Sequence, residues 1–308
     1  MAHLPTHTPY DGSSKLFQIG LKPLDLDDWI EIDHTFDAQL REKRRVYLAH
    51  PDKVFVAEAG TQDAQREVLD LLLQHLPRRF PERFEGHGDG VKVTGHPALD
   101  AAEMWSLPSL HIASLLVQED LILMRRSENG WRLAAGSLCF PSSWKLTEKF
   151  GKPMHEIHEP VPAFGPGMRM ADLIARMFDK LQPGNPVQRY NWSIQAGDEL
   201  YHPLSGVERI DRATNRPSKF PDADAAAHAF IRVERQTLRK LPVSGDILFT
   251  IRIHLDPVSA LRNHPDRRSL AASFAAQLSA LETDQLDYKG LTADRDRLVE
   301  VLGEMAQH

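Results

Sequence analysis

IRVERQTLRKLPVSGDILFTIRIHL, residues Ile231 to Leu255, decides the fold class. Apolar and β-branched residues alternate with polar ones on both sides of a turn signal at Pro242, Ser244 and Gly245, the pattern of a β-hairpin. Strand side chains point alternately to opposite faces, so Arg232, Glu234 and Gln236 share one face while Val233, Arg235 and Thr237 share the other. At least one strong hydrogen-bonding group must therefore face inward or line a pocket. An edge strand with solvated charges is the plain alternative, and pattern alone leaves the two open.

Outward from this hairpin, further strands are expected near Arg189 to Gln195 and in a pair formed by Ala113 to Met124 and Trp131 to Leu138, with Glu128, Asn129 and Gly130 at the turn. Helical spacing marks Trp29 to Ala49, Ala64 to Leu76 and Met168 to Leu181. Ser142 or Ser143 is placed to cap a short helix ending at Gly151, before a stiff PVPAFGPG loop. Beyond Pro265, Leu270, Phe274, Leu278 and Leu281, then Leu286, Leu298, Val299 and Leu302, read as two amphipathic helices that pack on the sheet or on a second subunit. No fixed-period repeat occurs. The expected fold is α+β, an antiparallel sheet with flanking N-terminal and C-terminal helices. Its expected divisions are a flexible tail over residues 1–14, one domain over 15–261 and a helical segment over 262–308.

Several unusual strings add a resemblance. CFPSSWKLTEKFGKPMHEIHEPVPAF from Cys139 to Phe164, YNW from Tyr190 to Trp192, RVERQTL from Arg232 to Leu238 and the ILFTIR strand resemble the α-subunit-like family of haem-dependent oxidative N-demethylases, from Phe17 to Leu261. That resemblance implies a PAS-like domain holding haem b. It implies oxidation of a small secondary amine such as dimethylamine with O2, releasing formaldehyde. Electrons would come from NADPH through a flavin and iron–sulfur reductase on another chain. The histidine of the IHEPVP string is His158, which the resemblance makes the proximal iron ligand.

Composition bounds the alternatives. At 308 residues, 42 % hydrophobic and 26 % charged, the chain can bury a substantial core and is not of disordered type. A net charge of −6 argues against nucleic acid as a partner. A single cysteine, Cys139, excludes an internal disulfide and a cluster held by four thiolates of this chain, and suggests a reducing compartment. There is neither a signal-peptide pattern nor an apolar run long enough to span a bilayer, so the expectation is a cytoplasmic protein without a membrane partner, with homo-oligomerisation open. GHGDG, from Gly86 to Gly90, fails the dinucleotide fingerprint, and no phosphate-cradling loop occurs, so NADPH and flavin are not expected on this chain.

Among fifteen histidines, His155 and His158 stand apart because their three-residue spacing lies beside a helix end and the following prolines fix the backbone. Zinc is the weaker competitor: HEIHE is not the HExxH of zinc proteases, and further ligands would be needed. A loop histidine bonded to a carbonyl is the structural alternative. Cys139 as a thiolate ligand competes with a buried, inert thiol, which its apolar flanks favour. For a haem carboxylate or a distal pocket, Arg232 and Arg235 offer planar donor forks. Tyr190, Asn191 and Trp192 offer hydroxyl, amide and aromatic groups on the neighbouring strand, and Glu234 could receive a cationic amine. The expected cofactor-binding set is His158, Arg232, Asn191 and Trp192, and the expected catalytic set Glu234, Arg235 and Tyr190. The rival functions are a haem-PAS gas sensor or haem-binding protein without turnover, and a PAS-like fold without cofactor.

Overall fold

The computed structural model describes residues 4–14, 16–87, 90–94 and 106–307. Its described strands are β1 (Lys22–Pro23), β2 (Phe55–Ala57), β3 (Phe84–His87), β4 (Gly90–Val93), β5 (Asp120–Ser127), β6 (Gly130–Ser137), β7 (Val187–Gln195), β8 (Phe230–Lys240) and β9 (Ile247–Pro257). Seven form one antiparallel sheet in the order β1-β7-β8-β9-β5-β6-β2, while β3 and β4 make a separate hairpin. The fold is thus α+β, as the alternation of residues 231–255 predicts. Gly88 and Asp89 of the GHGDG string lie outside the described residues.

Strand alternation divides the interior. Leu121, Leu123 and Leu248 pack with the helices Phe36–Ala49, Gln62–Arg79 and Ser109–Ser114 on one face. Trp192, Ile194, Ile231 and Val233 continue that face and pack against the C-terminal helices. Ile122, Met124, Leu133, Leu238, Phe249 and Ile251 point the other way, toward Met154, Phe164, Ile174 and Phe178. The first face is filled by helices, and the second lines a cavity.

Several expectations need correction. Helix begins at Phe36, not Trp29, because Asp25 caps a short 3-10 turn over Leu26–Asp28 and residues 29–35 form bends and a turn without continuing the helix. Residues 109–114 are helical, so the strand expected from Ala113 starts at Asp120. Leu146–Lys149 does end before Gly151 (φ 75°), but its N-cap is Lys145 and neither serine caps it; Ser143 instead holds a left-handed turn at φ 61°. The C-terminal region forms three helices, Arg267–Ser279, Thr283–Lys289 and Arg295–Gln307. Of the segment expected to be a flexible tail, residues 4–14 are docked: Tyr10 is fully buried and stacks on Phe274 with ring centroids 4.5 Å apart.

Candidate functional site

The cavity, about 260 Å³, lies between the β5–β9 face and the 142–181 segment. Its walls are apolar at Ile122, Leu133, Met154, Ile157, Phe164, Ile174, Phe178, Leu238, Phe249 and Ile251. Set into them are five cationic side chains, Lys149, Arg189, Arg209, Lys219 and Lys289, against one carboxylate, Glu234. In a chain of net charge −6 this local inversion marks a place built for an anionic group.

His158 is delivered by the one-turn helix Met154–Ile157, which Pro153 opens and His158 itself closes. Its Nδ1 lies 3.0 Å from the carbonyl of Met154. That bond requires the proton on Nδ1 and leaves the Nε2 lone pair available, the tautomer a metal-ligating histidine needs. Burial, reinforced by the charges of Lys149 and Arg189, holds the imidazole down to about 4, so it is neutral at physiological pH. His155, one turn earlier, is exposed and borders a separate hollow of about 70 Å³.

Alternation on β7 and β8 delivers the polar wall. Asn191 pairs with Glu234, and Arg189 with Gln236, across the ladder, and all four line the cavity. The Glu234 carboxylate accepts from the Gln236 amide at 2.9 Å and from Asn191 at 3.5 Å. Arg189 and Arg209 each keep a buried Nε with no protein partner. Such unpaired donors are costly unless a ligand completes them.

The remaining cations come from separate segments. Lys149 sits over the Trp144 ring, 4.3 Å from its centroid, and burial together with Arg209 lowers its ammonium to about 7. Lys219 and Lys289 are each lowered to about 8, chiefly by burial. Lys289 donates to the Trp192 carbonyl at 2.6 Å. Gly290 ends its helix at φ 63°, and a Cβ there would lie 2.7 Å from Nε of Arg212, so this backbone turn is tied to glycine.

Thus His158, Asn191 and Glu234 are brought together around one cavity, and the other four expected residues lie apart from its lining. Arg232 is fully buried and donates to the carbonyls of Phe140 (2.6 Å) and Leu200 (3.3 Å). Arg235 is on the opposite sheet face, bonded to Gln188, the carbonyls of Trp29 and Asp28, and Glu31. Tyr190 and Trp192 share that far face, where Trp192 meets Phe274 edge-on at 4.8 Å. Cys139 is buried, and desolvation raises its thiol above the ordinary range, as expected of an inert cysteine. Sequence reading missed Lys149, Arg189, Arg209, Lys219 and Lys289. For Arg189 the signal was present in its two-residue offset from Asn191, whereas the others converge only through tertiary folding.

The apolar walls, the available imidazole and the cationic rim suit an apolar ring that bears carboxylates and coordinates through a metal, which is the chemistry of haem. Among the described residues no helix is long and apolar enough to cross a membrane. Residues 20–299 match the family model described as haem-dependent oxidative N-demethylase, alpha subunit-like.

Proposed function

From the premise that this chain belongs to the haem-dependent oxidative N-demethylase, alpha subunit-like family, we propose that it is the haem-bearing subunit of an amine mono-oxygenase. Its substrate would be a small secondary amine such as dimethylamine. The order of two strands, short helices and three strands supports a PAS-like reading of the sheet. The observation that carries the proposal is His158, whose Nδ1 is committed to the Met154 carbonyl so that Nε2 is left to bind iron.

Haem b, when bound, supplies the activation of O2 that oxidises an N-methyl carbon. The chain's own residues bind and orient. Lys149, Arg189 and Arg209 would hold the propionates, which would complete the buried Nε donors that the protein leaves unpaired on the two arginines. Glu234, kept in place by Gln236 and Asn191, pairs with the substrate ammonium. The apolar walls exclude water from the reacting methyl group. Arg235, Tyr190 and Trp192 act as support from behind the sheet.

The sum is one secondary N-methylamine, O2, two electrons and two protons giving the demethylated amine, formaldehyde and water. A flavin and iron–sulfur reductase on another chain would supply the electrons from NADPH. Cytoplasmic residence fits a lone buried thiol.

Protein expressed with adequate haem supply should carry about one haem per chain. With O2, reducing equivalents and dimethylamine it should release formaldehyde. Glu234→Gln should raise the amine KM about 10- to 100-fold, the worth of a charged hydrogen bond, while the haem spectrum stays. Haem binding with no formaldehyde from any secondary amine or electron source would replace this reading with a gas-sensing one.

A further inference from the structure

Behind the sheet, on the face away from the cavity, three residues from distant segments meet. Nε2 of His7 and Nε2 of His254 lie 3.0 and 3.1 Å from the same carboxylate oxygen, Oε2 of Glu31. The other oxygen, Oε1, is held by Nε of Arg235 at 3.1 Å and also lies 3.1 Å from His7. We propose that His7, Glu31 and His254 form a binding site for a divalent transition-metal ion of the zinc type, which fastens the N-terminal segment to the sheet.

The donor set of two imidazoles and one carboxylate is a recurrent one for such ions, with open positions left for water. Bonds of about 2.0–2.1 Å at tetrahedral or octahedral angles place ligand atoms about 2.9–3.4 Å apart, and both nitrogen–oxygen separations here fall in that range. All three ligand atoms lie within 4.8 Å of one another, so closing the two imidazoles on one ion needs a shift that His7, on a terminal segment, can make by rotation. Nδ1 of His254 faces the Asp33 carboxylate at 3.7 Å, beyond hydrogen-bond length, and Arg252 fixes that carboxylate at 2.7 Å, so a small approach of the ring would supply the outer-shell bond that metal-ligating histidines make. Glu31 and Asp33 face Arg235 and Arg252, and behind them burial pushes the Glu119 carboxyl up, its Oε2 buried without a partner while Oε1 accepts the Glu31 amide.

The test uses the full chain as purified, dialysed against zinc chloride and then passed through a metal-free column. Metal analysis should find about one more zinc per chain in the wild type than in His7→Ala. Zinc should raise the thermal midpoint by several degrees in the wild type, with the rise lost in His7→Ala and restored at least in part in His7→Glu, whose carboxylate reaches about as far as Nε2 and keeps a ligand atom there. Neither readout depends on haem or turnover. Equal zinc content in wild type and His7→Ala, or an equal midpoint shift in both, would overturn the site.

Discussion

At the scale of single residues, the cavity is defined by groups whose charge state burial has altered. His158 binds fewer protons folded than unfolded between about pH 6.5 and 4, so its contribution makes the native state less stable as pH falls through that window. Acid should therefore release haem as Nε2 is protonated, followed by loss of the native absorption spectrum as pH falls to about 4 and below. His158→Ala should lower haem retention by more than about 100-fold, since loss of an outer-shell partner alone costs 10- to 100-fold. Circular dichroism should report an intact fold, and His155→Ala should leave the spectrum unchanged. Lys149 repeats that sign in a higher window of pH. Its ammonium, lowered to about 7 from 10.5, binds fewer protons folded than unfolded, so stability rises with pH between those values and the penalty is full below about 7. Lys149→Met should raise the thermal midpoint of haem-free protein near neutral pH and weaken its hold on haem; an unchanged midpoint would show that the ammonium carries no burial cost.

Among the elements, β8 carries both kinds of chemistry on its two faces: Glu234 and Gln236 toward the cavity, Arg235 toward the N-terminal segment. Arg235→Ala should destabilise by about 3 kcal/mol, because it removes the guanidinium from beside Glu31, which keeps only its two histidines, and leaves two backbone carbonyls without their donor. Chemical denaturation would measure it, and a loss of amine binding with no loss of stability would contradict the assignment. The alternation of this strand was legible in the sequence, since period 2 depends only on neighbours. Which face meets the cavity was not, because that depends on helices tens of residues away. The helices Gly206–Asn215 and Ala223–Ala227 escaped notice for a related reason. The first opens with a Ser205/Glu208 capping box, a signal that was available, but its apolar Val207 and Ile210 are exposed and so gave no core pattern. His158, singled out through the IHEPVP string, does line the cavity, and that string is local, whereas the cationic rim was missed because its members come from separate parts of the chain.

For the whole molecule, the N-terminal segment is part of the folded body. Tyr10→Ala should cost about 3 kcal/mol, within the range for deleting a buried aromatic ring, because it empties the stack on Phe274 and the pocket around it. A midpoint within a degree of wild type would return this segment to the role of a loose tail. The antiparallel pairing of β5 with β9 has a consequence for synthesis. The register joins Asp120 to Ile251 and Met124 to Ile247, so the central strand of the sheet is also the last of its described strands to be synthesised. A nascent chain that ends before Ile247 has made His158, Arg189 and Glu234 yet lacks Phe249 and Ile251, the floor on which they would close. Such non-local closure is intrinsically slow, and loading of the pocket must wait for β9, leaving until then a half-built, apolar sheet edge of the kind that chaperones shield.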